Sequence, residues 1–132
     1  MLDMSFFPKS RQLVLTRHAQ AKMSFYKLSK QRVLRVLHSP RRTEEGVAPK
    51  TVAVMQPGSV KWAKLSDQER RGQKETWSQE IWVMFQDAPG ERKIISAWRY
   101  PGVTKARSEV AKQIMRSEYA SYVVGEKLDK MK

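Results

Sequence analysis

The chain contains no cysteine, and it has half as many acidic as basic side chains. Without a thiol it cannot form a disulfide, a thiolate metal site or a covalent cysteine intermediate. It has no apolar run of about 18 residues. Its first residues, MLDMSFFPKS, lack the charged start and the long apolar core of a signal peptide. We therefore expect a soluble, cytoplasmic protein that is not associated with a membrane.

Several signatures of catalysis are also missing. The sequence holds no glycine-rich phosphate loop, no HExxH pair, no cluster of carboxylates suited to a metal ion and no nucleophile elbow. Histidine occurs only twice, as His18 and His38. We expect neither a metal ion nor another cofactor.

The shortage of acid leaves a strongly basic chain, with 26 Lys and Arg against 13 Asp and Glu and a formal net charge of +13. Residues 1–50 hold 11 basic and 3 acidic side chains (+8), residues 51–90 hold 5 and 5 (0), and residues 91–132 hold 10 and 5 (+5). A fold that brings the two ends together would form one basic surface. Such a surface attracts phosphate backbones, acidic membranes or an acidic protein, and we favour nucleic acid.

The length of 132 residues fits one domain that spans 1–132. We expect residues 1–10 to form a flexible leader and residues 126–132 a loose tail. No internal repeat and no linker interrupts the chain.

Two helices are predicted near the N-terminus, after a short strand at 13–15. Thr16 can cap a helix that starts at Arg17, and Ser29 can cap a second helix that ends at His38-Ser39-Pro40. Apolar residues recur at helical spacing in the second helix, whose other side is cationic. The two helices should form a hairpin.

A third helix is predicted after Pro101-Gly102. It should begin near Thr104 and end near Ser117 or continue to Val124. Helical spacing places three apolar residues on its inward side, and these are Ala106, Val110 and Ile114.

The middle of the chain predicts strands. Residues 41–46 and 51–55 are the first candidates, and residues 61–79 form a polar insertion that we expect to be an exposed loop or a short helix. Residues 80–86 and 92–98 alternate on either side of a short turn, so they should pair as an antiparallel hairpin. In the last strand, the period of two places Arg92, Ile94, Ser96 and Trp98 on one face.

This order of elements predicts an α+β domain. The two N-terminal helices and the C-terminal helix should pack on a curved antiparallel sheet.

His18 is the candidate for proton transfer because it lies at the start of a helix beside Arg17 and Lys22. A neutral imidazole can move a proton near pH 7, which suits cleavage of RNA by attack of its own 2′-hydroxyl. The structural alternative is a histidine that packs under the sheet. His38 is expected to be a C-terminal helix cap.

Cationic side chains could bind and polarise the phosphate. We assign this role to Lys22, Arg92 and Arg99, because positive groups stabilise the charge that builds up in the transition state. The alternative for the two arginines is a solvated position at a sheet edge.

A wider set of residues could hold single-stranded RNA, because aromatic planes among cations commonly do so. Trp62 and Trp77 are the stacking candidates, whereas Trp82 and Trp98 lie in predicted strands and are expected in the core. The cationic candidates for RNA binding are Arg17, Arg41, Arg42, Lys61 and Lys93.

The segments LTRHAQAKM, HSP and RKIISAWR resemble the RelE-like toxin superfamily, nearest to the BrnT-like toxins and related short domains with a His-Ala-x-x-Arg-Met helix. The resemblance covers roughly residues 13–107. His18, Ala19 and Met23 match that helix, and Lys22 stands where arginine is usual. In the closing strand, Trp98 stands where BrnT-like proteins tend to have arginine, and the polar insertion at 61–79 is longer than the family pattern.

The resemblance implies a RelE-like fold and a metal-independent endoribonuclease from a toxin–antitoxin pair. It also implies RNA, free or ribosome-bound, as the substrate and an acidic antitoxin as the partner. Two alternatives remain open: a non-catalytic RNA-binding or ribosome-binding module, and a basic interaction protein for an acidic partner.

Overall fold

The computed structural model describes residues 11–58, 60–61 and 76–131. The expected leader, 1–10, and most of the polar insertion lie outside these ranges. Within them, the chain forms the following elements in order: β1 (Gln12–Leu15), α1 (Arg17–Tyr26), α2 (Lys30–His38), β2 (Arg42–Glu45), β3 (Thr51–Pro57), β4 (Val60–Lys61), β5 (Thr76–Trp77), β6 (Glu80–Ala88), β7 (Glu91–Tyr100) and α3 (Glu109–Lys130).

The main sheet has five strands in the order β1-β7-β6-β3-β2, and β4 pairs separately with β5. The α+β class is confirmed, but the sheet is mixed and not purely antiparallel, because β1 pairs with β7 in parallel. Along the chain, helices α1 and α2 lie between β1 and the other strands of the sheet. A parallel pairing requires such a crossover connection. The remaining pairs in this sheet are antiparallel.

Helices cover both faces of the sheet. On one face, α2 buries Val33 and Val36 in a core shared with Ile81, Val83 and Phe85 of β6. On the other face, α3 packs through Ala111, Met115 and Tyr122 against a core that contains Trp82, Met84 and Trp98. The predicted alternation along β6 is therefore confirmed, and burial on both faces explains why the central strands carry so few exposed polar side chains.

The predicted hairpin is confirmed as β6 and β7, with a β-bulge that the sequence did not predict. Met84 pairs with Ser96 and Phe85 pairs with Ile94, so Ile95 is an extra residue on β7. The bulge shifts the alternation, and Ile94 joins the core beneath α1 and α2 whereas Ile95 and Trp98 join the core beneath α3. The expectation that Ile94 and Trp98 share one face was therefore wrong.

Hydroxyl side chains cap the helices at the predicted starts of α1 and α2. The Oγ1 atom of Thr16 accepts from the amide of Ala19 at 3.1 Å, and Oγ of Ser29 accepts from the amide of Arg32 at 3.0 Å. Thr16 also donates its hydroxyl proton to the carbonyl of Ile94 at 2.8 Å. One buried side chain thus starts α1 and fixes the end of β1 against β7.

Helix α3 differs from its prediction at both ends. Ser108 caps it, so it begins five residues after Thr104 at Glu109, and it continues to Lys130 through much of the expected loose tail. The residues on its buried side lie one position later in the chain than predicted, and Val110 is exposed. Thr104 does not start the helix because its amide and hydroxyl both donate to the buried carboxylate of Glu80.

None of the helices in the described part of the chain is long and apolar enough to cross a membrane.

Candidate nucleic-acid interface

His18 and Lys22 meet at a buried carboxylate on α3. They lie four residues apart on α1 and therefore share one side of that helix. Nε2 of His18 lies 2.9 Å from Oε1 of Glu118, and Nζ of Lys22 lies 3.1 Å from Oε2. The hydroxyl of Ser96 on β7 donates to the same carboxylate. Four side chains thus join α1, α3 and β7, and the expected approach of His18 and Lys22 is present.

The carboxylate of Glu118 is only 9% exposed, yet it is stabilised as an anion. Burial by itself would raise its pKa, but hydrogen bonds from Ser96, His18 and Lys22 and the charge of Lys22 outweigh burial. The net result is a pKa below the ordinary value for glutamate. A charged carboxylate can only accept, so Nε2 of His18 donates this hydrogen bond, and the bond orients the imidazole.

A cleft of about 540 Å³ lies beside His18, and its charge does not favour phosphate. Its lining includes one guanidinium, that of Arg17, and two carboxylates, those of Glu126 and Asp129. Arg17 is already paired with Asp129 at 3.1 Å. An incoming phosphate would meet more negative than positive side chains in this cleft.

Arg92 lies at the other end of β7 from Arg99, where it shares the carboxylate of Asp87 with Arg11. Its guanidinium makes two bonds to Asp87, at 2.7 and 3.0 Å, and lies 4.1 Å from the ring centroid of Phe85. Arg92 is the first cause of the lowered pKa of Asp87. Arg92 and Arg99 are seven residues apart, or roughly 23 Å along a strand that rises about 3.3 Å per residue. The structure does not bring the two predicted arginines together, and it does not place His18 in contact with either of them.

Arg99 instead joins a group of arginines near the turn between α1 and α2. Its Nε donates to the carbonyl of Tyr26 at 2.8 Å, and its terminal nitrogens make longer contacts of 3.4 Å with Lys27 and Gln79. Arg32 of α2 donates to the side chain of Gln56 and to the carbonyl of Pro57. These acceptors are neutral, so they satisfy the guanidinium protons without cancelling the charge.

The pKa of Arg32 is lowered, first by burial and then by the positive charges of Arg35 and Arg99. The charges of Arg35 and Arg99 thus each oppose the charge of Arg32, and we call these three residues the arginine cluster. In the described part of the chain, none of the three forms an ion pair with a carboxylate. The sequence explains this, because it has no Asp or Glu between positions 4 and 43.

The structure brings three of the remaining predicted RNA-binding residues together near β5 and β6, namely Arg41, Arg42 and Trp77. Arg42 is bound to Glu44 and Thr104 and lies over the ring of Trp82. Trp77 is half-buried, and its indole donates to Glu80 at 2.9 Å. The guanidinium of Arg41 lies 5.9 Å from the ring centroid of Trp77. These contacts support the fold near β5 and β6.

The last three predicted RNA-binding residues are Trp62, Lys61 and Lys93. Trp62 lies outside the described residues, and Lys61 contributes its backbone to β4. Lys93 is half-buried on β7, where it is the register partner of Gln86. Lys93 lies six residues from Arg99 along β7.

The sequence analysis did not select Arg32, Arg35 or Glu118 as site residues. The signal for the two arginines was the cationic side of α2 together with the absence of nearby acid. The signal for Glu118 was its spacing from Ala111, Met115 and Tyr122, which places it on the buried side of α3.

No protein-family model, no curated protein and no solved structure matches the chain.

Proposed function

We propose that this protein binds RNA through the arginine cluster. The observation that carries the proposal is that Arg32 and Arg99 bond to neutral acceptors. In the described part of the chain, neither these two arginines nor Arg35 has a carboxylate partner. Arginines that repel one another are held together here by the fold, and an external polyanion would relieve that repulsion. The proposal includes a cytoplasmic location.

Phosphate is the ligand that this chemistry favours. Guanidinium groups bind phosphate oxygens through two parallel hydrogen bonds, and such charged bonds are stronger than those to neutral carbonyls. The contacts of Arg99 with Lys27 and Gln79, at 3.4 Å, are at the long limit for hydrogen bonds. Arg99 can therefore exchange these two long contacts for hydrogen bonds to a phosphate at a small cost in free energy. Its Nε would keep its bond to the carbonyl at the end of α1.

The shape of the surface is compatible with an extended ligand. A cleft of about 620 Å³ beside Arg99 is lined by Tyr26, Ser78, Gln79 and Pro101. The lining residues that the structure describes include no carboxylate, in contrast to those of the cleft beside His18. A phosphate backbone that follows this cleft would meet a cation and neutral hydrogen-bonding groups.

The test compares two double variants with the same change in charge. Arg35→Gln with Arg99→Gln removes two members of the arginine cluster, and Lys112→Gln with Arg116→Gln removes two cations from α3. We expect the first pair to weaken RNA binding and to reduce the slope of log K against log salt by about 1.4, at about 0.7 per phosphate contact. The α3 pair should change the slope much less. Equal effects of the two pairs would contradict a defined site, and circular dichroism would verify the fold of each variant.

We propose a second function, that of a RelE-like or BrnT-like toxin with endoribonuclease activity. The observation in its favour is that Glu118 orients His18, as a carboxylate orients the general base of many hydrolytic sites. This proposal brings with it an acidic antitoxin as partner and RNA, free or ribosome-bound, as substrate. His18 and Arg99 lie at opposite ends of α1, because Arg99 bonds to the carbonyl of Tyr26, the last residue of that helix.

Cleavage assays separate the second proposal from the first. If His18 transfers a proton, His18→Ala should reduce the rate of RNA cleavage by about 10²–10⁴-fold while RNA affinity is retained. Glu118→Gln should reduce the rate less, because it disturbs the orientation of the imidazole without removing it. Intact RNA after incubation with the wild-type protein would rule out the nuclease and leave the binding proposal untouched.

A further inference from the structure

Phe25 is an exposed aromatic residue on α1. Its side chain is 75% exposed on the last turn of α1, whereas Phe85, Trp82 and Trp98 are below 10%. Among the aromatic residues that the structure describes, no other is classed as exposed. Its ring therefore contributes almost nothing to the core, and the fold does not explain why an aromatic residue occupies this position.

The ring of Phe25 is held in place by its neighbours. It lies 4.9 Å from the ring of Tyr26, at an angle of 84°. The ammonium group of Lys22 lies 5.8 Å from the centroid of Phe25 and 5.2 Å from that of Tyr26, and Glu118 fixes this ammonium group. An oriented ring loses less conformational freedom when a flat ligand stacks on it than a mobile ring would.

Phe25 is next in the chain to a residue that contacts the arginine cluster. The carbonyl of the next residue, Tyr26, accepts the 2.8 Å bond from Arg99, and Tyr26 lines the cleft that contains Arg99. Exposed aromatic rings next to cations are the arrangement by which proteins hold single-stranded nucleic acid, with bases on the rings and phosphates on the cations. A duplex cannot use such a ring, because its bases are already stacked and paired.

We infer that Phe25 is a stacking platform for a base of single-stranded RNA whose phosphates bind the arginine cluster. This inference rests on the proposed RNA binding and adds two features to it, a preference for single strands and a residue that produces this preference. Stacking on phenylalanine is tolerant of base identity, because every base has an aromatic face. The site should therefore distinguish strandedness more strongly than sequence.

The experiment measures affinity for three probes of equal length: a single-stranded RNA, the same RNA with its complement, and the single strand with abasic positions. Phe25→Ala should weaken binding of the single strand roughly 5- to 150-fold, the range for loss of one stacked base. It should leave duplex binding and the salt slope unchanged, because it removes no charge. The abasic strand should bind the wild type and Phe25→Ala equally.

Two further variants identify the cause of any loss. Phe25→Trp should retain affinity for the single strand because it keeps an aromatic plane, whereas Phe25→Leu should behave like Phe25→Ala. Leu128→Ala serves as the matched control, because Leu128 is an exposed apolar residue on α3, at 57%. Its affinity should equal that of the wild type.

The outcomes separate the inference from the proposal beneath it. If the wild type binds RNA with a steep salt slope and Phe25→Ala binds the single strand equally well, the inference fails and the proposed function stands. Equal losses on the single strand and the duplex, or restoration of affinity by Phe25→Leu, would also overturn the inference. If the wild type binds none of the three probes, both the inference and the proposed function fail.

Discussion

His18 and Glu118 are 100 residues apart in the chain, and their side chains meet at 2.9 Å. The same carboxylate binds Lys22 and Ser96, so one residue of α3 is bonded to both α1 and β7. This arrangement has measurable consequences for stability, whatever role His18 has toward RNA.

The first prediction concerns the loss of this carboxylate. Glu118→Ala would leave the ammonium group of Lys22 and the hydroxyl of Ser96 without their acceptor in a largely buried place. Loss of one partner costs about 3–5 kcal/mol in fully buried pairs. Because Lys22 is 24% exposed, we expect a smaller loss of ~2 kcal/mol in the free energy of unfolding, measured in urea.

Glu109 provides the control for that measurement. Its ion pair with Arg116 is exposed on both sides, at 66% and 55%. Glu109→Ala should therefore cost less than about 1 kcal/mol. An equal loss for the two variants would show that Glu118 does not fasten the helix and the strand.

The second prediction concerns acid. The pKa of Glu118 and that of Asp87 are both lowered in the folded protein. The unfolded chain therefore binds more protons than the folded one between the folded pKa values and the ordinary ones, about 4.3 for Glu and 3.9 for Asp. The stability from both groups is present above this range and is lost as pH falls through the folded pKa values.

Urea titrations at a series of pH values would measure this loss. Glu118→Gln should flatten the acid side of the stability curve, because glutamine cannot take up the proton. A curve with the same acid slope as that of the wild type would contradict the assignment of part of the acid sensitivity to Glu118.

The third prediction separates two arginines of β7. Arg92 is already bonded to Asp87 through two hydrogen bonds. Arg92→Gln should therefore lower the free energy of unfolding by about 1–2 kcal/mol, with little change in RNA affinity. Arg99→Gln should lower RNA affinity on the order of tenfold, because a bound phosphate loses a charged contact. Parallel binding and unfolding measurements on both variants provide the comparison, and a larger loss of affinity for Arg92→Gln would contradict the placement of the RNA surface.

The fourth prediction concerns Glu80, which is fully buried. Its two oxygens accept from the indoles of Trp77 and Trp82 and from the amide and hydroxyl of Thr104. Glu80→Gln would replace one acceptor oxygen by an amide that cannot accept, so two donors would lose their partner. We expect a loss of about 2 kcal/mol and a change in tryptophan emission, measured during unfolding in urea. An unchanged midpoint would mean that the surroundings of Glu80 rearrange to satisfy the donors.

The features that the sequence predicted well are local. The caps at Thr16 and Ser29 and the alternation in 80–86 depend on residues close together in the chain, and each is present in the structure. The bulge at Ile95 was not predictable in this way. It is set by the fit of β7 to β6 and to the helices on both faces, and no local signal marks the position at which the alternation shifts.

The candidate site was predicted only in part for the same reason. The sequence predicted His18 at the start of a helix beside Lys22, but the common partner of these two residues is contributed by α3. The approach of Arg32 to Arg99 depends on how α2 lies over the end of β7. Long-range pairings of this kind require the topology of the sheet, which periodicity does not determine.

The parallel pairing of β1 with β7 also has a consequence for the order of folding. Thr16 and Ile94, which end this pairing, are 78 residues apart. The entropy of closing so long a loop must be offset before the contact stabilises the chain, and contacts of this kind slow folding. During synthesis, β1 cannot find its place until β7 has left the ribosome. The hairpin of β6 and β7 therefore has to provide the template onto which the beginning of the chain docks.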